Sequence, residues 1–451
     1  MEKFPDLNNY NYIHFIGVGG VSMSSLAIIL AQNGKTVTGS DSTESKNTSD
    51  LREGGVKVSI GHNAGNAVGA QLIVYTAAIK DSNPELVYAK ENNIPAIERA
   101  VLLGMLMATY NKSIAVAGTH GKSTTTSMIS SVFLDDSYDP TILIGAHLNK
   151  INANFKVGAS EYAVYEACEY VNSFLHFYPQ TAVILNIDAD HLDFFKDLDS
   201  IKASFKKFTS NVAENGVVII NGDDPNCEQI AKDSTHTVLT FGLDFKNNCY
   251  AENIRIIDGH PVFDAIFNSH KISDIHLSVL GNHNIMNALA TVCCAKYHGV
   301  GDKAIKSGLL TFTGADRRFQ IVKKVNGADI ADDYAHHPTE IAATIAAARS
   351  AEYKKVCVIF QPHTYTRTKL LQDEFIKALT KADRLILTDI YSAREINTIG
   401  ANVMDIVNAI PGAKYMSNRQ EIANMIKTDA KQGEVYILMG AGDINKTADL
   451  L

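Results

Sequence analysis

Residues Gly118 to Thr124 read GTHGKST and combine two glycines, a lysine and hydroxyl side chains. The segment follows the apolar run IAVA and precedes a run with helical periodicity. Glycines let backbone N–H groups converge on phosphate oxygens, and a helix N-terminus adds partial positive charge. Lys122 would reach the β- and γ-phosphates of a nucleotide, and Ser123 or Thr124 would offer a hydroxyl to Mg²⁺. The alternative, a helix start with a solvated lysine, is disfavoured by the apolar run. The segment therefore predicts a phosphate loop, although Val116 stands where the usual motif has its first glycine.

A second glycine-rich turn, GVGGVS, follows the first apolar run of the chain. Gly17 and Gly19 match the first two positions of the dinucleotide pattern G-x-G-x-x-G, but Ser22 occupies the third. Asp41 ends the next predicted strand, where such folds place a carboxylate for ribose. These residues leave two interpretations open, namely NAD or another nucleotide diphosphate held at the same helix N-terminus.

Carboxylates and a histidine follow two later apolar runs. Glu166 ends the run YAVYE, and the segment after TAVIL carries Asn186, Asp190, His191 and Asp193. The carboxyl ends of adjacent parallel strands meet at one edge of a sheet. Mg²⁺ prefers oxygen ligands, so Glu166 is a typical candidate and His191 a less usual one. Together they predict a metal site beside the phosphate loop.

Three further segments carry residues suited to chemistry. The segment DDYAHHPTE, residues 332–340, has two histidines, but adjacent histidines do not readily face one metal and no cysteine accompanies them. Arg317 and Arg318 suit a phosphate in a closing cleft, with a solvated hinge as the alternative. His363 and Arg367 follow another apolar run, where an arginine could bind a carboxylate with two hydrogen bonds.

The composition is that of an ordinary globular protein, with 46% hydrophobic and 20% charged residues. The net charge of −8 argues against a nucleic-acid partner. No apolar run has the length of a signal peptide or a membrane span, so we expect a cytoplasmic protein without a membrane partner. The six cysteines show no Cys-x-x-Cys spacing, which favours reduced thiols.

Strand and helix patterns alternate along the chain and restart twice. This alternation is typical of parallel sheets covered by helices. A chain of 451 residues also exceeds what one hydrophobic core usually serves. We therefore predict an α/β protein with three domains, at residues 1–107, 108–312 and 313–451.

The motifs GTHGKST, EA at Glu166, NIDADHLD, GNHNIMNALA, DRRFQ, DDYAHHPTE, FQPHTYTRT and MGAGDI occur in this order in the Mur ligases. The chain resembles that family over essentially its whole length. The resemblance implies a Rossmann-like N-terminal domain for a UDP-sugar, a central P-loop ATPase domain and a Rossmann-like C-terminal domain for an amino acid. It also implies ATP and Mg²⁺ as cofactors.

The resemblance assigns roles motif by motif. The ATP phosphates would contact Gly118, Thr119, His120, Gly121, Lys122, Ser123 and Thr124. Magnesium would be held by Ser123, Glu166 and His191. Other parts of ATP would contact Asn284 and Asn287 at the adenine, Asp333 at or near the ribose, and Arg318 at the phosphate. The UDP-sugar would contact Gly17, Gly19, Gly20 and Asp41, and the alanine and acyl-phosphate region His337, His363 and Arg367. The catalytic residues would be Lys122, Glu166, His191 and Arg318.

The forms DDYAHHPTE, RRF and QPH-x-YTRT imply one reaction within the family. It is the ATP-dependent addition of L-alanine to the lactyl carboxylate of UDP-N-acetylmuramate through an acyl phosphate, in peptidoglycan precursor synthesis. The nearest alternative adds a recycled murein tripeptide to the same carboxylate. Two alternatives of other classes are a nicotinamide-dependent oxidoreductase and a non-catalytic nucleotide-binding regulator. The partners would be small molecules, and the protein a monomer or homodimer.

Five positions depart from the family pattern, and two of them, Val21 and Ser22, replace the small residue and the glycine of GGxGM. Thr364 stands where arginine is common, and Cys168 stands at an aspartate position. Several members carry a carbamylated lysine on the helix after DHLD. Phe205 aligns there, with Lys206 adjacent, so the modification is not predicted.

Overall fold

The chain was analysed as a computed structural model that describes residues 6–76, 78–192, 194–393 and 395–451. Its strands form three sheets that follow one another along the chain, with five, ten and six strands. The parallel pairing in all three confirms the predicted α/β class. In the described ranges, no helix combines the length and apolar character needed to cross a membrane.

The first sheet contains β1 (Tyr12–Ile16), β2 (Thr36–Asp41), β3 (Lys57–Ile60), β4 (Leu72–Tyr75) and β5 (Ala96–Glu98). Its helices are α1 (Val21–Gln32), α2 (Lys46–Glu53), α3 (Pro84–Glu91) and α4 (Arg99–Met107). The strands are parallel in the order β3-β2-β1-β4-β5. Because the chain leaves β1 on one side and returns on the other, the GVGG turn lies at the switch point where such sheets bind ligands. The pattern of the run PAIERAVLLGMLMATY predicts a helix, but residues 96–98 within it pair with β4 as an edge strand.

The second sheet contains β6 (Lys112–Ala117), β7 (Thr141–Leu148), β8 (Ala153–Lys156), β9 (Tyr162–Glu166), β10 (Thr181–Ile184), β11 (Val217–Asn221), β12 (Thr237–Gly242), β13 (Cys249–Ile257), β14 (His260–Phe267) and β15 (His270–His276). Its helices are α5 (Lys122–Asp135), α6 (Leu198–Ser210), α7 (Pro225–Asp233), α8 (His283–Tyr297) and α9 (Asp302–Thr311). Strand β6 pairs in parallel with β9 on one side and β10 on the other. The phosphate loop after β6 is therefore flanked by Glu166 and by the segment that follows β10.

The third sheet contains β16 (Gln320–Val325), β17 (Ala328–Asp333), β18 (Lys355–Phe360), β19 (Arg384–Leu387), β20 (Lys414–Tyr415) and β21 (Glu434–Met439). Its helices are α10 (Pro338–Ser350), α11 (Tyr365–Leu370), α12 (Gln372–Leu379), α13 (Val403–Ala409) and α14 (Arg419–Asp429). The order is β16-β17-β21-β18-β19-β20, with β16 antiparallel to β17. The predicted segments DDYAHHPTE and FQPHTYTRT follow β17 and β18, so both lie at the carboxyl edge of this sheet.

Helix α5 is buried on almost every side, although it contains many hydroxyl residues. Some of these hydroxyls are satisfied within the helix: Thr126 donates to the Lys122 carbonyl and Ser130 to the Thr126 carbonyl. Small hydroxyl residues let α8 and α9 pack close against α5, as they do in buried helices generally. The packing of α5 against α8 and α9 thus fixes the start of α5 and the phosphate loop that precedes it.

A buried polar cluster around Glu85 lies inside the N-terminal domain. Its carboxylate accepts from the Ser40 hydroxyl at 2.6 Å and the Asn66 amide at 2.7 Å, and it lies 3.3 Å from His62 Nδ1. His14 Nε2 lies 3.8 Å away. Burial by itself would raise the pKa of Glu85, but these partners lower it to about 2. The cluster therefore holds an ionised carboxylate in the interior.

We expect the Glu85→Gln variant to be less stable than the wild type by about 1.5–3 kcal/mol at neutral pH, the usual contribution of hydrogen bonds to a charged group. A carboxylate whose pKa is lowered on folding stabilises the protein above its ordinary pKa and stops doing so as pH falls through the folded value. The difference in thermal unfolding between the two proteins should therefore shrink from about pH 4.5 down to about pH 2. A difference that does not change with pH would contradict the assignment.

Candidate functional site

The phosphate loop has a backbone that requires glycine at two positions. Gly118 has φ +141°, and a Cβ there would lie 2.9 Å from the Leu185 Cβ. Gly121 precedes α5 with φ +84°, and its Cβ would lie 2.7 Å from the Asn287 Oδ1. L-residues with side chains rarely adopt such φ values. The glycines therefore serve the turn and the close contact with β10 and α8.

The loop is held by the chain segment after β10. Asn186 accepts from the His120 N–H at 2.8 Å and donates to the His120 carbonyl at 3.0 Å. The Asp188 N–H donates to the Thr119 hydroxyl at 2.9 Å. Sequence analysis noted Asn186 as a polar residue at this sheet edge but did not identify it as the residue that clamps the loop.

The Lys122 side chain forms hydrogen bonds and an ion pair beside the loop. Its ammonium group contacts the carbonyl oxygen of Thr119 at 3.1 Å and the carboxylate oxygens of Glu169 at 2.9 and 3.1 Å. Burial would lower the pKa of Lys122, but the Glu169 charge more than compensates and raises it. Glu169 is itself buried. This partner was not predicted, although its position three residues after Glu166 placed it at the same strand end.

Glu166 and Ser123 offer oxygen ligands of the kind that Mg²⁺ prefers. Glu166 accepts from the Gly145 N–H at 2.8 Å, and the Ser123 hydroxyl also contacts its carboxylate. Burial raises the pKa of Glu166, opposed by these hydrogen bonds and by the charges of Lys122 and Arg318. A desolvated carboxylate beside a hydroxyl fits a divalent cation.

His191 is the third predicted magnesium ligand, besides Glu166 and Ser123. Its φ is +54°, and its ring packs against Tyr170 with centroids 4.6 Å apart. The Nε2 atom is 4.0 Å from Glu169 Oε1 and 3.9 Å from Asp190 Oδ2. The predicted ligand is thus near the carboxylates, while Asp193, another sequence candidate, lies outside the described residues.

A cavity of about 880 Å³ opens between the second and third sheets. Small-molecule sites commonly occupy roughly 300–1,000 Å³. The predicted nucleotide-binding residues in its wall are His120, Gly121, Thr124, Asn284, Asn287, Arg318 and Asp333. The Asn287 amide donates to Asn284 Oδ1 at 2.9 Å, and Asn284 donates to the Leu280 carbonyl at 2.7 Å. The cavity is large enough for a nucleotide beside the phosphate loop.

The two arginines at the start of the third domain differ in their surroundings. Arg317 is bonded to Asp332 and to the Gly440 carbonyl, so it stabilises the third sheet. Arg318 reaches the cavity wall, with Nη1 3.6 Å from Glu340 Oε1. Asp333 accepts from the backbone N–H groups of Phe319 and Ala335. Burial raises the pKa of Asp333 to about 6, against the opposing effect of Arg318.

A smaller cavity of about 360 Å³ lies on the other side of the segment after β10. Its wall includes His191, His363 and Arg367. Arg367 bonds through Nε at 3.0 Å and Nη2 at 2.8 Å to Asp190 Oδ1. Burial would raise the pKa of Asp190, but Arg367 holds it well below the ordinary value. Burial and Arg367 lower the pKa of His363 to about 4, so its imidazole is neutral at pH 7.

His337, predicted in the same region, is not in the wall of the smaller cavity. It precedes α10 and is buried, with Nε2 3.2 Å from the Ala189 carbonyl. His337 therefore lies between the two cavities, at the contact between the second and third domains.

The predicted UDP-sugar residues lie together at the switch point of the first sheet. Gly17 has φ +80°, and Gly20 precedes α1. Asp41 Oδ2 accepts from the Gly19 N–H at 2.8 Å, and a Cβ at Gly19 would lie 2.9 Å from the same oxygen. Asp41 thus shapes the glycine turn itself.

The positions that depart from the family pattern are also placed. Phe205 packs in the core, with its ring centroid 5.1 Å from that of Phe174, and Lys206 pairs with Asp233 at 2.7 Å on the surface. Thr364 lines the smaller cavity with φ +65°. All six cysteines are free, including Cys168, whose thiol pKa is raised by burial.

Comparison with known proteins covers each part of the chain. Residues 12–111 match the family described as "Mur ligase family, catalytic domain". Residues 116–295 match "Mur ligase middle domain", and residues 317–442 match "Mur ligase, glutamate ligase domain". The three matches follow the three sheets.

Two named ligases are similar to this chain along nearly its whole length. The chain is 47% identical over 451 residues to the UDP-N-acetylmuramate–L-alanine ligase of Acetivibrio thermocellus, covering 99% of this chain and 96% of the relative. It is 46% identical over 450 residues to the enzyme of that name from Clostridium novyi, covering 98% and 97%.

Two solved structures are similar over nearly their whole length. The UDP-N-acetylmuramate–alanine ligase of Thermotoga maritima superposes with a TM-score of 0.79 at 28% identity, covering 97% of both chains. A murein peptide ligase of Psychrobacter arcticus superposes with a TM-score of 0.71 at 25% identity, covering 97% of this chain and 98% of that one. With an identity of 47% to a Mur ligase over 99% of its own length, this chain belongs to the Mur ligase family.

Proposed function

We propose that this protein joins L-alanine to the lactyl carboxylate of UDP-N-acetylmuramate, with ATP converted to ADP and phosphate, in peptidoglycan precursor synthesis. The observation that carries the proposal is the full-length identity of 47% to a relative named for that ligation. The domains would be residues 1–107, 108–312 and 313–451. We further propose that the protein acts in the cytoplasm on these small molecules, as a monomer or homodimer.

The phosphate loop and the larger cavity would hold ATP. The loop amides from Gly118 to Thr124 would bind the phosphates at the start of α5. The Lys122 ammonium, now paired with Glu169, would turn toward the transferring phosphoryl group. Arg318 would approach from the third domain, and Asn284 and Asn287 would lie against the adenine, with Asp333 near the ribose.

Ser123, Glu166 and His191 would hold Mg²⁺. When bound, the cation would offset the repulsion between the lactyl carboxylate and the γ-phosphate. Glu166 is suited to this because it is desolvated and lies beside the Ser123 hydroxyl.

The first chemical step would be attack of a lactyl carboxylate oxygen on the γ-phosphorus, with ADP leaving. Lys122 and Arg318 would stabilise the charge on the transferring group from two different domains. This arrangement requires the second and third domains to close on each other before transfer.

The second step would occur at the smaller cavity. The deprotonated amine of alanine would attack the acyl carbon, and phosphate would leave from the tetrahedral intermediate. Arg367 and His363 would orient the amino acid, and His337 would hold the loop between the cavities. Neutral His363 offers one ring nitrogen to Arg367 Nη1 at 3.3 Å, and its other ring nitrogen would contact the substrate. Gly17, Gly19, Gly20 and Asp41 would hold the UDP moiety.

The proposal is tested by ADP release with ATP, Mg²⁺ and UDP-N-acetylmuramate, adding in turn alanine, glycine, serine or the murein tripeptide. We expect turnover with alanine at least about tenfold above that with the tripeptide, a difference of about 1.4 kcal/mol in barrier. Preference for the tripeptide would establish the alternative reaction. Absence of ADP release in every mixture would favour a binding protein without catalysis.

A further inference from the structure

Three potential metal ligands meet where the phosphate loop contacts the start of α10. They are His120, Asp188 and His337, whose ligand atoms all lie within 4.8 Å of one another. His120 Nε2 is 3.2 Å from Asp188 Oδ2, and His337 Nδ1 is 3.8 Å from the same oxygen. The rings of the two histidines are 4.7 Å apart at their centroids. The group joins the second domain to the third.

The outer nitrogens of both histidines already have acceptors. His120 Nδ1 lies 3.3 Å from Glu340 Oε1, and His337 Nε2 lies 3.2 Å from the Ala189 carbonyl. Metal-bound histidines almost always donate their other N–H to a carboxylate or a carbonyl in this way. The inner nitrogens, His120 Nε2 and His337 Nδ1, are therefore the ones turned toward Asp188.

Asp188 is oriented by its own neighbours. Its Oδ1 accepts from the Ala189 N–H at 2.8 Å, and its Oδ2 accepts from the Thr339 hydroxyl at 2.8 Å. The Thr339 N–H donates to His337 Nδ1 at 3.4 Å and so caps α10, and a metal ion at Nδ1 would replace this hydrogen bond. The three candidate ligands are thus preorganised by backbone and hydroxyl contacts from both domains.

The spacing suits a tetrahedral ion. Ligand bonds of about 2.0–2.1 Å place neighbouring ligand atoms roughly 3.3 Å apart in a tetrahedron. One separation here is 3.2 Å, and another, at 3.8 Å, needs a shift of about 0.5 Å. Two imidazoles and one carboxylate suit zinc and similar transition metals, whereas Mg²⁺ takes oxygen ligands.

The group brings two carboxylates, Asp188 and Glu340, one on each side of the His120 ring. Burial would lower the pKa of His120, but its hydrogen bonds to Asp188 and Glu340 raise it to about 9, so a metal ion has to displace the proton of the imidazolium. Arg318 adds a further positive charge 3.6 Å from Glu340. Asp188 and His120 line the larger cavity, so a bound ion would keep one position open toward it. The histidine pair of DDYAHHPTE contributes a single ligand, because His336 turns instead to the Tyr334 carbonyl.

We propose that His120, Asp188 and His337 form a transition-metal site, with zinc as the fitting ion, that links the phosphate loop to the third domain. Binding displaces the hydrogen between His120 Nε2 and Asp188 as a proton. The ion clamps the closed arrangement of the two domains. The site is separate from Glu166 and Ser123.

The test is calorimetric titration of Zn²⁺ into chelator-treated full-length protein, in excess Mg²⁺ and without nucleotide. We expect one ion per chain, and an affinity loss of about tenfold or more in His120→Gln and in His337→Gln. Co²⁺ in place of Zn²⁺ should give the visible absorption of a tetrahedral site, which both variants lose. Circular dichroism establishes whether each variant is folded. If His120→Gln does not fold, His337→Gln, which lies outside the phosphate loop, still tests the proposal.

The matched controls are His191→Gln and His363→Gln, which change histidines of the smaller cavity. Both should bind Zn²⁺ as the wild type does. The proposal is overturned if the wild type binds no zinc, if binding survives in both His120→Gln and His337→Gln, or if it is lost in His191→Gln. None of these outcomes bears on alanine ligation, which is measured separately.

Discussion

The Lys122→Met variant is expected to release ADP about 10²–10³-fold more slowly than the wild type with all substrates present. Removing one preorganised donor from a site of developing negative charge typically costs about 2.7–4 kcal/mol of barrier. Lys122 begins the helix after the phosphate loop, and its charge is maintained by the Glu169 carboxylate. The measurement is the steady-state rate with saturating ATP, UDP-N-acetylmuramate and alanine.

Stability has to be separated from catalysis in this experiment. Glu169 is buried, and removal of one partner from a buried ion pair commonly costs about 3–5 kcal/mol. We therefore pair the single variant with Lys122→Met/Glu169→Gln, which leaves no uncompensated carboxylate. The double variant should regain thermal stability without regaining activity. Near-normal turnover in either variant would remove Lys122 from the proposed mechanism.

The second large effect is expected at the contact between Arg367 and Asp190. We expect Arg367→Leu to destabilise the protein by about 3–5 kcal/mol, because it leaves a buried carboxylate without its cation. Both side chains are nearly buried, at 10% and 8% exposure, and they belong to different domains. Thermal unfolding with limited proteolysis measures the loss and shows whether the third domain is released first.

The stability difference between Arg367→Leu and the wild type should depend on pH. Arg367 holds the pKa of Asp190 well below its ordinary value. A carboxylate of this kind contributes stability above its unfolded pKa and loses it as pH falls through the folded value. The deficit of Arg367→Leu should thus be full at neutral pH and diminish in acid.

The matched control is Arg367→Leu/Asp190→Leu, which removes both charges. Replacing both members of a buried pair by apolar residues is often neutral or stabilising, so this variant should unfold near the wild-type temperature. Its alanine-dependent activity should remain low if Arg367 also orients the amino acid. Full activity in the double variant would limit Arg367 to a structural role.

Much of the secondary structure was predictable from local patterns. The runs TVTGSD and IAVAG correspond to β2 and the end of β6, and the run after GNH corresponds to α8. Residues 96–98 were the exception, because an edge strand depends on pairing with β4 rather than on its own three residues. The tertiary contact with β4 therefore decided that these residues form strand β5.

Some features of the candidate site were likewise predictable from the sequence, and others were not. The resemblance in motif order predicts that Lys122, Glu166 and Arg318 belong to one site. Glu169 as the partner of Lys122 and Asp190 as the partner of Arg367 were not predicted, although Glu169 lies three residues after Glu166 and Asp190 lies within NIDADHLD. A carboxylate at a strand end can bind metal, substrate or a neighbouring cation, and only its neighbours in space distinguish these.

The sequence by itself determined that three α/β units follow one another, that the chain resembles the Mur ligases, and that a phosphate loop begins α5. Each of these depends on contacts or patterns within short stretches. The tertiary structure alone decided that His120, Asp188 and His337 meet, although 68 residues separate the first two and 149 separate the last two. The first pairing arises because sheet order brings distant strand ends to one edge, and the second because the third domain packs against that edge. No local pattern encodes either contact.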